Sequence, residues 1–290
     1  MRFIKYLLAI LSLIYTAYSN EYDFKNYTVV DGLSESTINV IFEDDKGFLY
    51  IGTENGLGLF DGLTFFNYKM NVFNETTIFG NNIKSICQDD YGDIWVGTEL
   101  GLSKLDTRTR KFERITNTKY NLKDIEKIFN DKNGDIWFKN SDGIYKYKQA
   151  FNEVECISCG DNLEINSFSN IYSTHSNEIL ISTFSNLYRY DFDSDTLRSM
   201  LNSNHSTIEI SFVTDIIEID NTLWIGSKNG LIKLPYDRKL KPQIYKEKTS
   251  SLVNDDIRDI EYSKKKNEIW ISTKNGVSIL NLNSNSFKNI

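Results

Sequence analysis

The sequence predicts an all-β chain, a β-propeller of four-stranded antiparallel blades. Three observations predict it: a repeat, two turn signals inside each copy, and a short strand-like run between them. The repeat is anchored on Tyr50, Trp95, Trp137, Leu180, Trp224 and Trp270, at intervals of 45, 42, 43, 44 and 46 residues. That is the length of one propeller blade, although arrays of helical pairs share it. Three residues before each anchor stand Gly47, Gly92, Gly134, Asn177, Asn221 and Asn267, and six residues after stand Gly56, Gly101, Gly143, Asn186, Gly230 and Gly276. Gly and Asn are the residues that most readily accept positive φ. Asn55-Gly56, Asp142-Gly143, Asn229-Gly230 and Asn275-Gly276 are tight-hairpin dipeptides, and two such breakers per unit exclude a helical repeat. Between the turns run β-branched and aromatic segments such as Ile94-Trp95-Val96 and Leu223-Trp224-Ile225, which suit strands.

The elements follow in chain order. Residues 1–19 read as an export signal: Arg2 and Lys5 are its basic end, Tyr6 to Tyr15 its apolar stretch, and Ala17-Tyr18-Ser19 its small-residue cleavage site before Asn20. The apolar run is shorter than the ~20 residues of a spanning helix, and no Cys follows it for lipidation. Phe24 to Thr28 reads as an outermost strand without a blade of its own. Six repeats follow, over residues 38–70, 83–115, 125–157, 168–200, 213–246 and 257–290, making residues 20–290 one propeller domain. In the second, the four strands are Ile83 to Gln88, Asp93 to Thr98, Leu102 to Leu105 and Lys111 to Ile115. Isolated four-stranded sheets leave faces and edges open, and radial packing covers both. Six complete blades plus one orphan N-terminal strand predict an incomplete seven-bladed ring whose last blade is encoded beyond residue 290. A six-bladed ring with a spare strand is the alternative.

Composition narrows the function. The net charge is −7, and loss of the export signal leaves 31 basic against 40 acidic side chains, −9. Nucleic-acid surfaces are basic, so no nucleic-acid partner is expected, nor adsorption to anionic lipid. Once the signal is gone, no stretch is apolar for long enough to span a membrane.

Residues that could carry chemistry are few. His175 sits at a hairpin turn and His205 in a Ser/Asn-rich loop, and neither has a recognisable nucleophile motif beside it. No catalytic residue, cofactor or metal site is assigned. Asp191, Asp193 and Asp195 begin like a calcium loop, but Thr196 and Asn202 stand where Gly and Glu are needed, which favours a solvated hairpin. Asp44-Asp45, Asp89-Asp90 and Asp255-Asp256 read as turn or capping residues. Cys156 and Cys159 have redox-motif spacing without the strand-to-helix setting, so they read as ordinary strand or loop positions, with a local disulfide open after export; Cys87 is the odd third. The Trp residues could stack on sugars, but recurrence at one blade position favours packing between blades. Ligand contacts are expected in the irregular loops Met70 to Asn82, Thr116 to Lys123, Gly160 to Phe168 and Asn202 to Ile208.

Asp45-Lys46-Gly47-Phe48-Leu49-Tyr50-Ile51-Gly52-Thr53-Glu54-Asn55-Gly56-Leu57 resembles the repeat of two-component regulator propellers, as do residues 90–102 and 224–231. The opening stretch Tyr27 to Ile41, with Asp31-Gly32-Leu33-Ser34, is similar to the family's usual start. The third and fourth units depart from it, with Lys139-Asn140 for Gly-Thr, Leu180 for Trp and Ser185-Asn186 for Asn-Gly. The resemblance implies the periplasmic sensor region of a Bacteroidetes hybrid two-component system. There, propellers precede a further β-domain, a membrane helix, a histidine kinase, a receiver and a DNA-binding region, and the periplasmic part responds to oligosaccharides. On that reading the chain is a partial member without the kinase part, a periplasmic ligand-binding propeller rather than an enzyme. Its implied partners are an oligosaccharide, the remainder of a sensor kinase or a second protomer. A polysaccharide-degrading propeller enzyme of lyase type and a protein-docking scaffold are the alternatives.

Overall fold

In the computed structural model, the described residues are 25–159, 168–174, 176, 178–183, 186–194, 196–200, 212–237 and 241–290. They form six four-stranded antiparallel sheets in the blade order that the repeat predicts. In the first blade the innermost strand Ile38–Glu43 pairs with Leu49–Thr53, then Gly56–Phe60, then the outermost Phe65–Tyr68. The export signal, His175, His205, Asn177, Ser185, Asp195, and most or all of the loops after the third and fourth blades lie outside the described residues.

The Gly-Thr step of the repeat has a mechanical basis. Thr98 Oγ1 accepts from the N–H groups of Leu100 and Gly101 and donates to the Gly101 carbonyl, closing the second hairpin from within. Thr53, Thr183, Ser227 and Thr273 hold their own turns in the same way. Asn140, the departure in the third blade, preserves the device: its Oδ1 accepts from Asp142 and Gly143. The preceding Gly97 lies where a Cβ would come within 2.6 Å of Ile125 Cγ2. Lys139 occupies that place in the third blade and reaches out to pair with Glu126.

Blades pack through their innermost strands at all five junctions from the first to the sixth, and among the described residues no comparable packing joins the sixth to the first. One repeating position shows what this means. Ile41, Ile86, Ile128, Ile171, Ile216 and Ile260 face their counterparts on the next strand at the same register. The last five lie against the preceding blade and are at most 6% exposed, whereas Ile41 is 60% exposed. At the other end, Trp270 is half-buried, whereas Trp95, Trp137 and Trp224 are buried. Among the described residues, the sixth and first blades are therefore not packed on one another as the other neighbours are.

The expected strand ending at Thr28 is corrected. Residues 25–28 pair with no sheet. Thr28 instead caps a 3₁₀ turn, Val29–Asp31, with Asp31 reciprocating, and Gly32 reverses the chain at φ 110°. Tyr27 packs edge-on against Phe60 and Phe65, 5.0 and 5.7 Å between centroids, and Leu33 joins Ile51 and Phe60 in a small core. This segment covers the outer half of the first blade's open face and leaves Ile41 bare.

Cys156 lies in the strand Glu153–Cys159 and is disulfide-bonded, the alternative that the sequence left open. The alternation that suggested a plain strand is interrupted there: between the pairs Ile144–Ser158 and Tyr145–Cys156 the strand Glu153–Cys159 bulges at Ile157. Cys87 is buried and free.

Candidate functional site

In the first three blades an aspartate stands six residues before the anchor, Asp44, Asp89 and Asp131, and organises one side of the blade. In the second blade Asp89 Oδ1 accepts from the N–H groups of Tyr91 and Asp93, and Oδ2 accepts from Trp95 Nε1 at 2.8 Å. In the third, Asp131 does the same for Asn133, Asp135 and Trp137 Nε1, again at 2.8 Å. Lys104 and Lys146 lie over the faces of Trp95 and Trp137, 5.5 and 5.6 Å from the ring centres, and Lys104 Nζ also reaches Asp89 at 3.3 Å. These Trp residues pack between blades and are not a sugar platform. Sequence reasoning found the capping role of the aspartates and missed the indole clamp, which needs the strand pairing to be visible.

The first blade lacks the clamp. Its anchor is Tyr50, the residue opposite is Leu59 instead of lysine, and Asp44 Oδ1 still caps its turn through the N–H groups of Lys46 and Phe48. Asp44 is 7% exposed. Among the described residues no protein group bonds its Oδ2, and the hydroxyls of Tyr50 and Tyr68 have no protein partner either. All three line a cleft of about 430 Å³ between the first and second blades, together with Lys46, Phe48, Asp61, Phe65, Phe66 and Arg110. Burial raises the pKa of Tyr50, with the Asp44 carboxylate adding to the effect. Burial also raises that of Tyr68, which the Arg110 guanidinium partly offsets. Both phenols therefore stay protonated at physiological pH. Arg110 sits at φ 57° with its guanidinium 5.3 Å from the centre of Phe66.

Two further clefts flank the fourth blade. There Glu178 is occupied, by Arg189 at 2.9 Å and by the Tyr236 hydroxyl at 2.9 Å. Of the loops expected to hold ligand, Met70 to Asn82 is tied down: Arg114 donates to the carbonyls of Asn71, Asn74 and Thr77, and Glu99 accepts from the N–H groups of Asn81 and Asn82. Thr116 to Lys123 is anchored by Asn140, which donates to the carbonyls of Asn121 and Lys123. Asp191 Oδ1 accepts from the Asp193 N–H, as a solvated hairpin would have it.

On the innermost strands, Asp215 keeps partial solvent contact while protein surrounds it almost completely. Burial raises its pKa well above the ordinary carboxylate range. Lys127 opposes the rise and the neighbouring Asp259 carboxyl adds to it. The folded state thus binds this proton more tightly than the unfolded one, so stability falls as pH rises from the ordinary carboxylate pKa through the raised value. Asp215→Asn is expected to stabilise the chain by about 1 kcal/mol near pH 8 and by much less near pH 5. Urea unfolding at the two pH values measures the difference, and equal effects at both would contradict the raised pKa.

Comparison with known proteins places the repeat. The two component regulator propeller model matches residues 32–55 and 77–99, in the first two blades. Histidine kinase P4 of Formosa agariphila is 39% identical over 72 residues, which are 25% of this chain and 5% of that protein. Among solved structures, the extracellular domain of a B. thetaiotaomicron protein described as a one component system superposes with a TM-score of 0.71 at 18% identity. The match covers 94% of this chain and 38% of that one. Virginiamycin B lyase from Staphylococcus aureus superposes at 0.67 with 15% identity, over 88% of this chain and 84% of the lyase. At such identities the structural likeness shows the fold alone. The chain spans a small part of the kinase and well under half of the extracellular domain. By its blades it is a β-propeller, and its first two blades match the two component regulator propeller repeat.

Proposed function

We propose that the chain is the ligand-binding propeller of a sensor, exported to the periplasm, which recognises an oligosaccharide and acts on a histidine kinase. The observation that carries this reading is the regulator repeat on the first two blades, joined to a relative that is itself a histidine kinase. Export is supported by the basic and apolar leader of residues 1–19 and by the disulfide at Cys156, a bond that persists in oxidising compartments. Among the described residues no helix is long and apolar enough to cross a membrane. The kinase is read as lying outside these 290 residues. Binding at one blade junction signals by favouring one of two arrangements of the receptor.

The test is to incubate the purified chain with polysaccharides and their oligosaccharide fragments, following both melting temperature and polymer length. A raised Tm with one fragment and unchanged polymer length is the expected result. Shortening of a polymer would replace sensing by the lyase-type reading that the propeller fold also permits. A protein partner retained with no sugar-dependent shift would replace it by docking.

A further inference from the structure

We propose that the cleft between the first and second blades holds one uncharged pyranose ring, with the Asp44 carboxylate as its central anchor; this rests on the oligosaccharide reading above.

A carboxylate oxygen, two phenol hydroxyls and the exposed Arg110 guanidinium line one cleft without hydrogen-bonding protein partners among the described residues, and so face whatever enters it. The second and third blades show what is particular to this one. Asp89 and Asp131 spend the same oxygen on an indole N–H, and the first blade has Tyr50 in the indole's place. A pyranose presents adjacent hydroxyl donors, which suit a carboxylate oxygen that only accepts. The phenols of Tyr50 and Tyr68 both donate and accept. Arg110 donates to ring and hydroxyl oxygens. The apolar face of a sugar ring is matched by Phe48 and Phe66, both partly exposed at the cleft mouth. A few convergent polar groups among aromatic walls, in a volume of this size, is the usual build of a small-molecule site.

The charge balance favours a neutral ligand. Asp44 and Asp61 are offset by Lys46 and Arg110 within the same lining. Asp61 is already engaged by the N–H groups of Leu63 and Thr64. Net negative charge, which would select a cationic ligand, is absent from the cleft.

The experiment is calorimetric titration of the whole chain with neutral di- to hexasaccharides, and in parallel with free amino acids and dipeptides. Wild type is compared with Asp44→Asn and Tyr68→Phe. The amide introduced by Asp44→Asn keeps an acceptor for the Lys46 and Phe48 N–H groups, so the turn survives. Tyr68→Phe keeps every ring contact and serves should Asp44→Asn not fold. The expected result is binding of a neutral oligosaccharide, weakened roughly 10- to 100-fold by Asp44→Asn and about tenfold by Tyr68→Phe. Undiminished binding in both variants would overturn the cleft while leaving oligosaccharide sensing intact. Absence of binding by every saccharide would overturn both. Binding of an amino acid or dipeptide that depends on Asp44, with none of sugar, would overturn the ligand class.

Discussion

Trp137→Ala is expected to destabilise the chain by about 3–5 kcal/mol, the largest loss from any single anchor. The indole is fully buried. It stacks on Phe129 at 6.1 Å and meets Tyr190 and Phe192 of the next blade edge-on at 5.1 and 6.4 Å. Its removal opens a cavity between two blades and leaves the buried Asp131 Oδ2 without its donor. Trp270→Ala, at the same repeat position but only half-buried, is expected to cost less than half as much. Urea midpoints of the two variants, at unchanged slope, measure the contrast. Equal losses would mean that the sixth blade's face is covered after all.

A charge placed at the repeated isoleucine tests the first blade in the same way. Ile171→Asp puts a carboxylate into a fully buried blade junction and is expected to cost on the order of 4 kcal/mol. Ile41→Asp makes the identical change where no blade lies opposite, and the expected effect is within about 0.5 kcal/mol. Thermal unfolding of the pair checks it. A severe Ile41→Asp loss in the isolated chain would show that some other segment packs on the first blade.

Most of the fold was legible because propeller blades repeat turn chemistry as well as length. Gly56, Gly101, Gly143, Gly230 and Gly276 all adopt positive φ at the second hairpin, as the Asn-Gly and Asp-Gly dipeptides predict. Even the irregular third blade kept its turn, since Asn140 supplies the acceptor that threonine supplies elsewhere. The segment ending at Thr28 was misread because it precedes the first repeat as the outermost strand Lys111 to Ile115 precedes the third, whereas a strand also needs a neighbour. Without one, Tyr27 settles on Phe60 and Phe65.

The candidate cleft was far less legible. The substitution of Tyr50 for Trp is plain in the sequence. What it leaves behind, an aspartate oxygen without its indole, depends on Asp44 and the anchor meeting across a turn and on Leu59 lying opposite. Sequence reasoning instead placed ligand contacts in the long loops. The described ones are held in place by Arg114, Glu99 and Asn140.

A propeller that senses a sugar for a kinase must change what its cell transcribes. The decisive measurement is the transcript profile of the cell that encodes it, with the chain intact and with its reading frame deleted, after exposure to purified oligosaccharides one at a time. One oligosaccharide is expected to induce a defined set of genes only when the chain is present. Identical profiles with and without the chain, for every oligosaccharide tried, would contradict the sensing role.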